Sequence, residues 1–147
     1  METLANLQTT HGGQEMILGF KKVFQKTKTP TGFIGKIILG RKIHSIRAGS
    51  RWKAGMKIHF ATGVRTPLYN QFNTGVVISV QKISISPPVV HKDGYRTALI
   101  LIDGKGINEY TKSVLASNDG FDSIDDFWNW FDKGIRGQII HWTNFKY

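Results

Sequence analysis

Gly40-Arg41-Lys42-Ile43-His44-Ser45-Ile46-Arg47 is the stretch on which the fold turns. It stands between a helical pattern and the first of a series of strand patterns. Upstream, Thr31 reads as an N-cap, and Phe33, Ile34, Ile37 and Ile38 recur at i, i+1, i+4 and i+5, one apolar stripe of a short helix. Gly40 is placed to end that helix in a left-handed conformation. His44 to Arg47 then reads as a short strand. In it Ser45 and Arg47 share one face, while Lys42 belongs to the turn and can reach that face.

Working outward, Met16 to Phe20 reads as a first strand, separated from the helix by the basic, Thr-rich segment Lys21 to Thr29 and by Pro30. Downstream, Lys57 to Phe60 alternates as a strand does. Val76, Ile78 and Val80 share one face, and Ile83 and Ile85 resume after a one-residue slip, which predicts a bulge or a bend. Ala98 to Ile102 is a continuous apolar run, expected to be a strand buried on both faces. Gly104-Lys105-Gly106 marks a hairpin. Thr111 to Asn118 reads as a second helix. Ser123 caps a third, with Asp125 and Asp126 at its positive dipole end and Ile124, Phe127, Trp128 and Phe131 on one stripe. Gln138 to Phe145 is the last strand. The expected core gathers Ile37, Ile38, Val80, Leu99, Leu101, Phe127 and Phe131. Strands dominate, with helices inserted irregularly, so the expected class is α+β around a curved or barrel-like sheet. A single domain over 16–147 follows a loose tail at 1–15.

The chain has 147 residues and a formal charge of +10. That length makes one domain, and aromatic residues at 12% argue against disorder. It contains no cysteine, which excludes disulfides, thiolate catalysis and Cys-based zinc sites and fits a reducing, cytoplasmic location. No run approaches the ~20 apolar residues of a membrane span. The charge is unevenly placed. Residues 16–92 carry 14 Lys and Arg and no acid, whereas residues 93–147 carry 8 acids and 6 bases. One contiguous half therefore supplies the whole excess and repels itself unless an anion meets it. Nucleic acid is the usual partner for such asymmetry; an acidic protein is the competing one.

Lys42, Ser45 and Arg47 place cations and a hydroxyl just past a helix end. A lysine among other cations has a lowered pKa and can serve as a base toward a hydroxyl; the same residues also make an ordinary solvated turn. Gly-Arg-Lys-x-x-Ser-Ile-Arg resembles the signature of the ASCH domain, a branch of the PUA-like superfamily, whose usual form is Lys-x-x-Thr-x-Arg after the first helix. Arg51 to Ile58 resembles the family's next loop and strand. Leu115-Ala116-Ser117-Asn118-Asp119-Gly120-Phe121 resembles its later Ala-x-x-(acid or Asn)-Gly-Phe region. The resemblance implies a curved mixed β-barrel with a cleft beside the first helix, and binding of RNA or nucleotides. One subgroup resembles amidohydrolases that remove the acyl group of N4-acetylcytidine. In that reading Lys42 takes the motif's lysine, Ser45 its threonine and Asp119 the later glutamate.

For a binder, Lys42, Arg47, Arg51 and Arg65 would meet phosphate, and Trp52 and Tyr69 would stack bases. Trp52 is equally consistent with a place in the core, while the polar neighbours of Tyr69 favour exposure. Trp128, Trp130 and Trp142 read as structural. The five histidines, at 11, 44, 59, 91 and 141, show no metal-binding spacing, and neither a metal nor a cofactor is expected. The expected partner is RNA or a nucleotide or nucleoside, with no membrane involved. The alternative is a hydrolase of an acylated nucleoside or a ribonuclease built on Lys42, Ser45 and Asp119.

Overall fold

The computed structural model describes residues 14–147. Residues 1–13 of the expected tail lie outside that range, and Glu15 already opens the first strand. In chain order the elements are β1 (Glu15–Gly19), α1 (Phe33–Ile38), β2 (His44–Ala48), β3 (Lys57–Thr62), β4 (Asn70–Val76) and β5 (Ser79–Ile85). There follow β6 (Val89–Val90), β7 (Arg96–Thr97), β8 (Ile100–Ile102), β9 (Lys105–Gly106), α2 (Glu109–Asn118), α3 (Ile124–Trp130) and β10 (Ile135–His141).

The fold is mixed α+β, with the strands in separate sheets, none closed into a barrel, rather than in the curved, barrel-like sheet expected from the sequence. β1, β3 and β4 form one sheet, β2-β10-β5-β8-β9 a second, and β6-β7 a small third. Among the described residues the two larger sheets share no ladder. Where β1 and β2 come together, the contact is made by a side chain, Arg47 Nη2 donating to Gly19 O at 2.6 Å. Between β4 and β5 the chain leaves one sheet for the other through Val77 and Ile78, whose backbone N–H groups donate to Met56 O and His141 O. A side-chain bridge and a two-residue crossing join the sheets without closing them.

Local expectations fared unevenly. β1 pairs parallel with β3, and β10 pairs antiparallel with both β2 and β5 in unbroken register. The irregularity expected near Val80 lies instead between Phe60 and Ala61, on β3. The odd positions Val77, Gln81, Ile83 and Ile85 are all buried, while Val76 and Ile78 stand half out in solvent. The inward face therefore never slips; the sequence pattern misassigned it. Leu99, meant for the core, is 61% exposed, and Ile38 is 60% exposed, since α1 is short and buries only Phe33 and Ile37. Val80 and Leu101 are only partly buried. α1 is entered through Gly32, with the Thr31 hydroxyl accepting from Phe33 N at 3.3 Å.

The helices behave as their caps dictate. The Ser123 hydroxyl accepts from Asp126 N, and Asn108 Oδ1 accepts from Thr111 N, satisfying N–H groups that the first turn leaves free. α3 buries Phe127 completely, in an aromatic cluster with Phe121, Trp128 and Phe131 at ring-centroid distances of 5.4, 5.4 and 4.9 Å. Phe24, Phe33 and Trp130 extend the cluster edge-on toward α1. Gly137 on β10 faces Ala48 of β2, and a Cβ there would sit 1.9 Å from Arg47 O. Only glycine lets these two strands close, and that closure sets where Ser45 and Arg47 stand. Replacing Phe127 by Ala should remove about 3–5 kcal/mol of stability, measured by denaturant unfolding; an unchanged midpoint would show that the cluster is not the core.

Candidate functional site

The cleft is built at the junction of three chain segments. α1 ends at Gly40, and Lys42 follows, its backbone N–H donating back to Lys36 O. Ile43 N donates to Asn118 O, which pins this turn to the C-terminus of α2. There Asp119 closes the helix and Gly120 turns the chain away at φ 95°. A Cβ on Gly120 would meet Lys42 Cδ at 2.9 Å and the Phe33 ring at 3.1 Å. Glycine is thus required twice over, by backbone conformation and by the closeness of the lysine stem.

Lys42 lies almost wholly buried, at 2% exposure. Its Nζ donates to Asp119 O at 2.5 Å, to His44 O at 3.0 Å and to Asp119 Oδ1 at 3.3 Å. The Phe33 ring centre is 4.7 Å away and the Phe20 ring 5.7 Å away, close enough for both faces to attract the ammonium. The carbonyl at the C-terminus of α2 adds the negative end of a helix dipole. Even so, burial outweighs the Asp119 carboxylate, and the lysine is lowered to about 8. At neutral pH it remains an ammonium with all three protons committed.

Asp119 Oδ1 also receives His44 Nδ1, 3.0 Å away. Against a carboxylate that nitrogen carries the proton, so Nε2 is the acceptor and takes the Tyr147 hydroxyl at 2.7 Å. Asn118 Nδ2 donates to the same hydroxyl at 3.1 Å. Burial pushes His44 below its ordinary value and Tyr147 above its own, so both stay neutral. The backbone of Tyr147 is clasped by Gln81, which also accepts from His141 Nε2 at 2.9 Å. A buried polar chain therefore runs from Lys42 through Asp119 and His44 to the far end of β10.

On the other face of β2, Arg47 Nε donates to Ser45 Oγ at 3.0 Å and its guanidinium lies 5.0 Å from the Phe20 ring centre. Burial lowers Arg47 to about 10, which leaves it a cation. Lys42, Ser45, Arg47 and Asp119 line one cavity of about 260 Å³, walled by Phe20, Phe33, Phe121 and Phe131. Three polar functions remain open there. The Ser45 hydroxyl can still donate, Arg47 has N–H groups to spare, and Asp119 Oδ2 has no hydrogen-bond partner among the described residues. No hydrogen bond joins Lys42 to Ser45.

Of the residues singled out in the sequence, Lys42, Ser45, Arg47 and Asp119 are brought together. Arg51 is exposed and shares a small adjoining groove with Arg47. Trp52 is a correction. It is 2% exposed, its backbone N–H and C=O both held by the Gln138 side chain at 3.0 and 2.9 Å, so its faces are not available for stacking. Arg65 and Tyr69 stand in solvent on the Gly63–Tyr69 loop and do not line the cavity. His44, Phe20 and Phe33 were not foreseen as site residues. The parity of His44 with Lys42 was the one available signal, and it becomes meaningful only once Asp119 is in place. Among the described residues no group of acids and histidines could hold a metal, and no helix is long and apolar enough to cross a membrane.

No protein-family model matches this chain, nor does any curated protein or solved structure.

Two outcomes follow. Lys42→Met should cost about 3–5 kcal/mol by leaving the buried Asp119 carboxylate without its cation, read as a fall in the unfolding midpoint. His141 is fully buried, its Nδ1 has no partner, and burial lowers it to about 4 from 6.5. Between those values the unfolded chain binds a proton that the folded chain refuses, so stability is lost as pH falls from 6.5 toward 4. His141→Gln, which can still donate to Gln81, should flatten that acid limb in thermal melts across pH.

Proposed function

We propose that this chain is a nucleotide- or RNA-binding domain that receives one base in the Lys42–Ser45–Arg47–Asp119 cavity. The supporting observation is that cavity's composition, with aromatic walls around an arginine, a free hydroxyl and an open carboxylate oxygen. Its volume lies below the ~300–1,000 Å³ of pockets that engulf a whole ligand. A planar ring fits such a space, with sugar and phosphate left outside near Arg47 and Arg51. Asp119 Oδ2 accepts from an exocyclic amino group, and the Ser45 hydroxyl donates to the neighbouring ring acceptor. That pairing favours cytosine or adenine over uracil, whose carbonyl would face the carboxylate. The order of the Gly40–Arg47, Arg51–Ile58 and Leu115–Phe121 motifs supports membership of the ASCH branch of the PUA-like superfamily, and the mixed α+β architecture is compatible with it.

A second reading has its own observation. Lys42, depressed to about 8, lines the same cavity as Ser45 and Asp119, a lysine, hydroxyl and carboxylate set like that of the acyl-cytidine amidohydrolases, with serine for their threonine and aspartate for their glutamate. Against it, the ground-state geometry spends every Lys42 proton on Asp119 and His44 and gives Ser45 to Arg47. A nucleophile needs its base within hydrogen-bond reach.

The test is a calorimetric titration with cytidine monophosphate and uridine monophosphate, paired with an assay of N4-acetylcytidine hydrolysis. For a binder, cytidine monophosphate should bind more tightly than its uridine counterpart by about 1–3 kcal/mol. Arg47→Gln should cost about 1.5–3 kcal/mol of binding and Ser45→Ala only about 0.5–1.5 kcal/mol. Acyl-cytidine turnover by the unmodified chain that disappears in Ser45→Ala would establish the hydrolase instead.

A further inference from the structure

We infer that the ligand is a single-stranded polynucleotide rather than a free nucleotide, its backbone running along a basic track on both sides of the base cavity; this rests on the cavity being a base site. The track is made of three adjoining depressions. The base cavity shares Gly19, Phe20 and Lys21 with a groove of about 560 Å³, and shares Arg47 and Ala48 with a smaller one of about 220 Å³. Lys21, Lys22 and Lys28 line the large groove, and Arg47 and Arg51 the small one. Neither groove has an acid in its lining. Asp119 is the single carboxylate of the base cavity, and it already answers Lys42.

Charge also fixes the direction. Lys21 also touches a fourth depression, lined by Lys133 as well as by Asp126 and Asp132, where Lys26 is paired with Asp132 at 2.8 Å. That side sets two carboxylates against three lysines, whereas the large groove has three lysines and no acid, so a phosphodiester chain leaving the base cavity is drawn more strongly to the groove. Lys21, Lys22 and Lys28 have no ion pair among the described residues, so their charge is unspent.

The segment carrying these lysines is held rigidly. Val23 bridges Pro30, Phe24 N donates to Thr29 O, and Lys28 N donates back to Phe24 O. Phe24 plugs the turn into the aromatic cluster, 7% exposed against Phe33, Phe121 and Trp130. Lys28 itself sits at φ 61°, held there by the closed turn. On the opposite wall, Val64 packs over Gly19, where a Cβ would come within 2.8 Å of Val64 Cγ2. A groove whose rim carries lysines with no ion pair among the described residues suits a phosphate backbone, which needs positive charge without base-specific contacts.

The experiment compares cytidine monophosphate with a short oligocytidylate, each titrated at several salt concentrations, against the unmodified chain and the double variant Lys22→Gln/Lys28→Asn. Asparagine is chosen because it tolerates the left-handed backbone. The oligonucleotide should bind more tightly than the mononucleotide, with a steeper loss in salt. Each single-strand phosphate contact contributes about 0.7 to the log–log slope, so the double variant should lower it by about 1.4, roughly a sevenfold smaller drop over a fourfold rise in salt. Its mononucleotide affinity should not change. Equal affinities and parallel slopes for the two ligands would overturn the track while leaving the base site standing, and so would an oligonucleotide slope untouched by the double variant. If neither ligand binds, the base site and the track fall together.

Discussion

The ion pair between Lys42 and Asp119 is where this structure is decided. Both partners are buried, at 2% and 3% exposure, and they tie the turn after α1 to the C-terminus of α2. A charge taken from water is costly, and it is tolerated here because every proton of the ammonium meets an acceptor and two aromatic faces lie beside it. The pair cannot be loosened at one end alone. Gly120 must be glycine for the lysine stem to pass, and Lys36, donating to Gly120 O at 2.7 Å and pairing with Asp122, holds the same turn from the other side.

What the pair organises is a division of labour across β2. Its inward parity carries His44, neutral and hydrogen-bonded at both ring nitrogens, into a buried chain that runs on to Tyr147 and Gln81. Its other parity carries Ser45 and Arg47 to the cavity, where their bonding capacity is only partly used. Asp119 belongs to both sides. Its Oδ1 is saturated by Lys42 and His44, and its Oδ2 is left for whatever enters. A site of this kind is preorganised, because its reactive or recognising groups are fixed by contacts made behind them.

Around this centre the aromatic cluster and the charge distribution act on different scales. Phe20, Phe24, Phe33, Phe121 and Phe131 form the walls and the rigid base of the basic turn. The lysines and arginines act over distances of a Debye length, about 8 Å at physiological salt, and make the surrounding surface a field rather than a set of contacts. Asp126 and Asp132 line the depression beside Lys26, whereas the groove at Lys21, Lys22 and Lys28 has no acid in its lining.

Much of this was legible in the residues. The cap at Ser123, the stripe through Phe127 and Phe131, the strand at His44–Arg47 and the acid-free half of the chain all follow from local rules of spacing, capping and charge. Local pattern put Lys42, Ser45 and Arg47 forward as candidates, and the family resemblance added Asp119. Local pattern failed where the partner lay far along the chain. Alternation alone put Val76, Ile78 and Val80 on the inward face, yet the crossing between sheets buries Val77 and, further on, Gln81, Ile83 and Ile85. Apolar character placed Leu99 and Ile38 in the core, although no neighbour covers them. Trp52 was ambiguous until Gln138, 86 residues away, was seen to hold its backbone. Sequence determines what each segment can bury, cap or charge, because those preferences act within a turn or a strand. Only the tertiary structure decides that Lys42 spends its protons on Asp119 rather than on Ser45, and that the sheets stay open, since both depend on which distant groups arrive within a few ångströms.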